Sequence, residues 1–145
     1  MGRTFMVRLS ILSLLGLLCA CAASDPLDGF AFTPPAGWTA LPPHEGSRLW
    51  TNPRNPGEEV LVTRPGDLAP GEDRTVSGKP VTICGGHPAT LTVKIGSAFG
   101  QPARLESITA IWQNVRIMAA YIRPMSARAN PNAEASLRSV CPRSI

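Results

Sequence analysis

From Ser47 to Arg123 the chain falls into three pairs of short runs in which apolar and polar residues alternate, each pair joined by residues that turn the backbone. The first pair is SRLWT and EVLVTR around NPRNPGE, the second PVTIC and TLTVKIG around GGHPA. The third is ARLESITAIW and VRIMAAYIR around Gln113-Asn114, closed by Pro124. A period of two sends successive side chains to opposite faces, so each run predicts a half-buried strand and each pair an antiparallel hairpin. Gly85-Gly86 is a strong turn signal. The expected inward residues are Leu49, Val60 and Val62 in the first pair, a shift of one residue turning Trp50 and Leu61 inward instead. In the second pair they are Val81, Ile83, Leu91, Val93 and Ile95.

Upstream, FAFTPPAGW predicts a strand with Phe30 and Phe32 on one face, ended by Pro34-Pro35-Ala36-Gly37, after which Trp38 and Leu41 pack back. Pro65–Lys79 is polar and broken by glycine and proline, long enough to be a mobile surface segment or to hold a short helix. Near the end, NPNAEASLRSVC predicts a helix: Asn130 caps it, Pro131 takes the first position, and Glu134 lies near the positive end of the dipole. Ala133, Leu137, Val140 and Cys141 form one apolar stripe, which puts Cys141 at the helix end facing the sheet. No repeat of 20 to 50 residues recurs. The expected fold class is α+β over residues 29–145, an antiparallel sheet of successive hairpins packed against a C-terminal helix.

The first 22 residues predict export. MGRTFMVR carries Arg3 and Arg8, Leu9–Leu18 is apolar, and small residues follow. This apolar core falls short of the roughly 20 residues that span a bilayer. Leu18-Cys19-Ala20-Cys21 resembles a bacterial lipobox, which makes Cys21 the lipid anchor on the outer-membrane or periplasmic side, residues 1–22 the secretion signal and 23–28 a tether. Cleavage after Ala22 or Ala23 would instead release a soluble periplasmic or secreted protein. Outside the leader, Cys84 and Cys141 remain, and in an oxidising compartment such a pair is read as a structural disulfide. It would close a loop of 58 residues, contributing about 4 kcal/mol through chain entropy.

Without Arg3 and Arg8 the net charge of +4 drops to about +2, and the remaining cations are spread singly along the chain. Nucleic-acid binding therefore has no basic patch to rest on. CGGH gives Cys84 and His87 the spacing of metal ligands, with Cys141 or His44 as further candidates, and the same pair could serve as a nucleophile and its base. His44-Glu45 could act in acid–base chemistry, although its turn-rich surroundings suit a solvated loop. Trp38, Trp50, Trp112 and Tyr121 could line an apolar groove or fill the core. No phosphate loop, G-x-S-x-G, H-E-x-x-H or dinucleotide fingerprint is present.

The FxFxPPxGW opening, the hairpins and the closing NAEASLRSV helix resemble the PsbP-like (Mog/PsbP) superfamily over most of Gly29–Val140. The likeness carries over Phe30, Phe32, Pro35, Gly37 and Trp38 as structural positions and implies an α/β/α sandwich, a sheet with helices on both faces. It also implies a non-enzymatic binding or accessory role; many bacterial members are small lipoproteins. The chain departs from that pattern in having one clear helix and in its Cys84, Cys141 pair. The expected function is an exported, lipid-anchored accessory protein with no catalytic residues, cofactor or metal. Its partner would be an envelope protein or a small ligand, and its membrane contact only the lipid on Cys21. The alternative is a soluble small enzyme or metal-binding protein using Cys84 and His87.

Overall fold

The structure is a computed structural model that describes residues 25–143; the expected secretion signal, with Cys21, falls outside them. Nine strands and one helix follow in the order β1 (Phe30–Ala31), β2 (Thr39–Ala40), β3 (Ser47–Thr51), β4 (Glu59–Thr63), β5 (Lys79–Ile83), β6 (His87–Ala98), β7 (Gln101–Trp112), β8 (Val115–Pro124), α1 (Pro131–Leu137) and β9 (Cys141–Pro142). Seven strands form one antiparallel sheet in the order β2-β3-β4-β8-β7-β6-β5, and β1 pairs with β9 apart from it.

All three expected hairpins form, and the second and third are continuous. β6 and β7 are themselves joined by the tight turn Phe99-Gly100, so β5 to β8 make one meander. Alternation then sorts the side chains. Trp50, Val60 and Tyr121 share a row across the sheet, as do Val62, Ala119 and Ile108, and Ile117, Ala110 and Ala89. These rows are buried together with Leu27, Phe30, Ala133, Leu137 and Val140, which close the core on one face. In β3 the inward residue is Trp50 rather than Leu49, while in β4 Val60 and Val62 face inward as expected and Leu61 does not.

The fold class differs from the expected α+β arrangement. Among the described residues the protein is mostly antiparallel β with one helix of seven residues, and no α/β/α sandwich is built. Asn130 caps α1 as expected, its side chain accepting from the N–H groups of Asn132 and Ala133. The helix ends early. Val140 is buried beyond it, and Cys141 leaves the helical path to pair with Ala31 in β9. An apolar spacing of four, seven and eight is met as well by two helical turns followed by an extended return, so the stripe overstates the helix.

The other face of the sheet carries no helix among the described residues. The segment from Arg64 to Gly78 crosses instead from β4 to β5 around the β7–β8 turn. Leu68 is buried and donates its N–H to the carbonyl of Asn114, and Arg64 holds Asp67 through a two-pronged contact.

Candidate functional site

Cys84 and Cys141 are paired, their Cα atoms 5.2 Å apart, within the range of a disulfide. Cys84 turns the chain out of β5 with a positive φ of 49°, continued by Gly85 and Gly86. His87 follows at the start of β6, where its ring stacks on Trp112 with centroids 4.3 Å apart. Its Nε2 lies 2.9 Å from the carbonyl oxygen of Ile111, a group to which it can only donate. The two residues with metal-ligand spacing are thus engaged separately, one in the cysteine pair and the other in an aromatic stack that Trp112 extends to Phe30. Among the described residues no three His, Cys, Asp or Glu side chains converge as metal ligands. His44 and Glu45 face each other at 3.6 Å on an exposed turn.

The aromatic residues divide. Trp50 and Tyr121 are buried, while Trp38 and Trp112 pack on the core from its margin. Tyr121 anchors a polar network that the sequence reading passed over. Its hydroxyl donates to Glu58 Oε1 at 2.5 Å and accepts from the N–H of Asn130 at 3.1 Å. Asn52 Nδ2 donates to Glu58 Oε2 at 2.6 Å. Burial foremost, then the bond to Glu58, pushes the tyrosine pKa well above its ordinary range. Both carboxylate oxygens of Glu58 already accept, so the network braces the β3–β4 turn against β8 and the helix cap. Beside it lies a polar pocket of about 240 Å³ lined by Trp38, Arg54, Asn130 and Asn132 among others. One signal for Glu58 stood in the sequence: it continues the inward alternation of Val60 and Val62 with a charge.

A different surface forms where β6 and β7 outrun β5. β5 pairs with β6 only as far as Leu91, so beyond it one edge of β6 has no strand partner among the described residues. Apolar side chains gather there in the open: Val93 is 44 % exposed, Ile95 60 %, Phe99 64 % and neighbouring Met125 46 %. Met125 is held to this end by its N–H to the carbonyl of Pro102. Phe99 occupies a left-handed turn position, φ 54°, followed by Gly100 at 72°. Turns of this kind select Asn, Asp or Gly, and a bulky residue there is strained. On the far side of the hairpin an apolar hollow of about 310 Å³ runs between Ala98, Ala103, Leu105 and Ile122.

Charge is uneven along the sequence, although the fold returns Arg64, Arg74 and Arg116 to the end that holds Asp67, Glu72 and Asp73. Eight of the ten acidic residues precede Arg74, and between Asp73 and Glu134 there is one carboxylate, Glu106, against seven Lys and Arg. Glu106 is taken by Arg104 at 2.7 Å. Lys94 and Arg128 are exposed near the tip, and Arg123 donates to the carbonyl of Ala127. Asp67, Glu72 and Asp73 lie at the opposite end of the sheet, where Asp67 bridges Val115 and Glu72 meets Arg116. β7 spans the distance between the two ends in 12 residues, roughly 36 Å.

No protein-family model and no curated protein sequence matches the chain. It is similar in structure to a protein from Bacteroides thetaiotaomicron VPI-5482 solved at 1.50 Å, with a TM-score of 0.65 at 16 % identity. The match covers 85 % of this chain and 48 % of that one, so this chain corresponds to about half of the neighbour's length. At that identity the likeness is one of fold.

Proposed function

We propose that this protein is an exported envelope accessory domain that works by binding and is held at the membrane through lipid on Cys21. The observation that carries the reading is the cluster of exposed Val93, Ile95 and Phe99 on a hairpin that outruns its neighbour. Soluble surfaces rarely gather apolar side chains this way without a contact to make. The role agrees with what the likeness of FxFxPPxGW to PsbP-like proteins implies, and the leader supplies the route of export.

Two measurements test it. A photo-crosslinking residue at position 99 of the full chain, expressed in cells, should give a defined adduct that the same residue at position 73 does not. Equal or absent adducts at both positions overturn the binding role. Intact mass of the membrane fraction should show a chain that begins at Cys21 with added lipid; a soluble species beginning at Ala23 or Ser24 removes the anchor and leaves the binding surface to stand alone. Rapid metal uptake by the purified protein, or thiols that alkylate without reduction, would favour the Cys84, His87 alternative.

A further inference from the structure

Building on the binding role proposed for the β6–β7 tip, we infer that the tip seats on an anionic lipid surface, Phe99 and its apolar neighbours entering the interface while cations behind them meet the headgroups.

Three observations favour a lipid surface over a protein groove. First, the apolar groups point several ways. By register Val93 and Ile95 share a face with Glu106 and Arg104, Leu105 and Ile122 line the opposite hollow, and Phe99 caps the turn between them. An added strand or a second copy would cover the β6 edge and one face; a fluid interface accepts all sides of a wedge at once. Second, Phe99 stands where turn geometry favours Asn or Gly. A large ring held out on a rigid two-residue turn is suited to entering an apolar medium, since aromatic side chains gain most on leaving water. Third, the fixed charges match an anionic partner. Lys94 adjoins Ile95, Arg128 lies just beyond Met125, and long basic side chains can keep their stems along apolar surface with their charges at the headgroups. The acidic groups on this half of the sheet are Glu106, held by Arg104, Glu59, opposite Ile122 on β4, and Glu58, buried against Asn52 and Tyr121. At the other end of β7 the carboxylates are matched by Arg64, Arg74 and Arg116, which leaves no comparable pair of unengaged cations beside exposed apolar side chains.

Asp25 meets Arg48 and shares a surface pocket with Gly46, Arg64 and Asp67, at the end of the sheet that holds the β7–β8 turn. A lipid on Cys21 and a seated tip would therefore hold the domain at two separated points, with its strands lying along the surface.

The test uses the processed protein from the full chain on vesicles of phosphatidylcholine with one quarter phosphatidylglycerol, carrying a headgroup spin label, and reads broadening of individual amide signals. The expected result is selective broadening of Ser97–Gly100 and Met125 over Glu72–Thr75, lost in pure phosphatidylcholine. It should fall about tenfold when Phe99→Ser and Ile95→Ser remove the apolar contact, with Lys94→Gln giving a smaller loss. Uniform broadening at both ends overturns the inference while leaving the anchor intact. Selective broadening in a chain whose mass shows no lipid upholds the tip and dismisses the anchor. A lipid-free dimer that Phe99→Ser dissociates would assign the edge to a second copy and overturn the lipid reading.

Discussion

The two ends of the β6–β7 ladder share strands, register and alternation, yet they are opposites. At the His87 and Trp112 end β5 lies alongside, Cys84 is paired to Cys141, His87 stacks on Trp112, and Phe30 covers the ring. At the Phe99 end β6 has no outer neighbour among the described residues, and Val93, Ile95 and Phe99 stand in water. An apolar side chain is buried by what comes to rest on it, and the strand that bears it does not supply that cover. Leu91 and Ile95 occupy equivalent positions four residues apart; only the first lies under the reach of β5.

Removing what pins the first end should have the largest effect. Cys84→Ala with Cys141→Ala loses the loop constraint and should cost about 4 kcal/mol, read as a drop in denaturant midpoint; an unchanged midpoint would mean that this end is not held by the pair. Next, Tyr121→Phe leaves Glu58 Oε1 and the Asn130 N–H without their buried partner and should cost about 1–3 kcal/mol. Tyr121 is the single tyrosine, so absorbance at 295 nm follows it alone. Its folded pKa is raised above the unfolded one, so its contribution is complete below pH 10 and is lost as pH rises beyond it. Tyrosinate should therefore appear late and together with unfolding, and ionisation near pH 10 in the folded protein would contradict the network. His87→Ala should cost about 1 kcal/mol through the lost stack, seen in thermal unfolding.

At the free end the sign reverses. Phe99→Asn suits the left-handed turn better and should leave stability unchanged or raise it by up to about 1 kcal/mol, measured by the same melt. A clear loss there would show that Phe99 packs as core and would erase the contrast between the ends.

The hairpins were legible because alternation and turn residues are local. Asn130 and Pro131 marked the helix start for the same reason, and the Cys84, Cys141 pairing followed from the presence of two cysteines beyond the apolar N-terminal stretch. What stayed hidden depended on neighbours remote in sequence. The stripe through Val140 and Cys141 suits a helix until Ala31 arrives to draw Cys141 into a strand. Val93 and Ile95 match an inward pattern until β5 proves too short to cover them. SAFGQP held the turn that makes the meander continuous, but its first turn residue is a phenylalanine, which local preference does not suggest. The uneven charge along the sequence could be counted directly, but the fold mixes it by bringing Arg64, Arg74 and Arg116 to Asp67, Glu72 and Asp73.

Near the start and finish of the domain, β1 lies against β9, and Arg143 donates its N–H to the carbonyl of Gly29. Tension entering the domain at its amino-terminal side would meet this two-residue clasp first, and through Cys141 would pass covalently to Cys84 at the β5–β6 turn. The load would thus reach the body of the molecule by a short route, without first shearing the long ladder of the sheet. A pull from that side would open the clasp before the seven-stranded sheet.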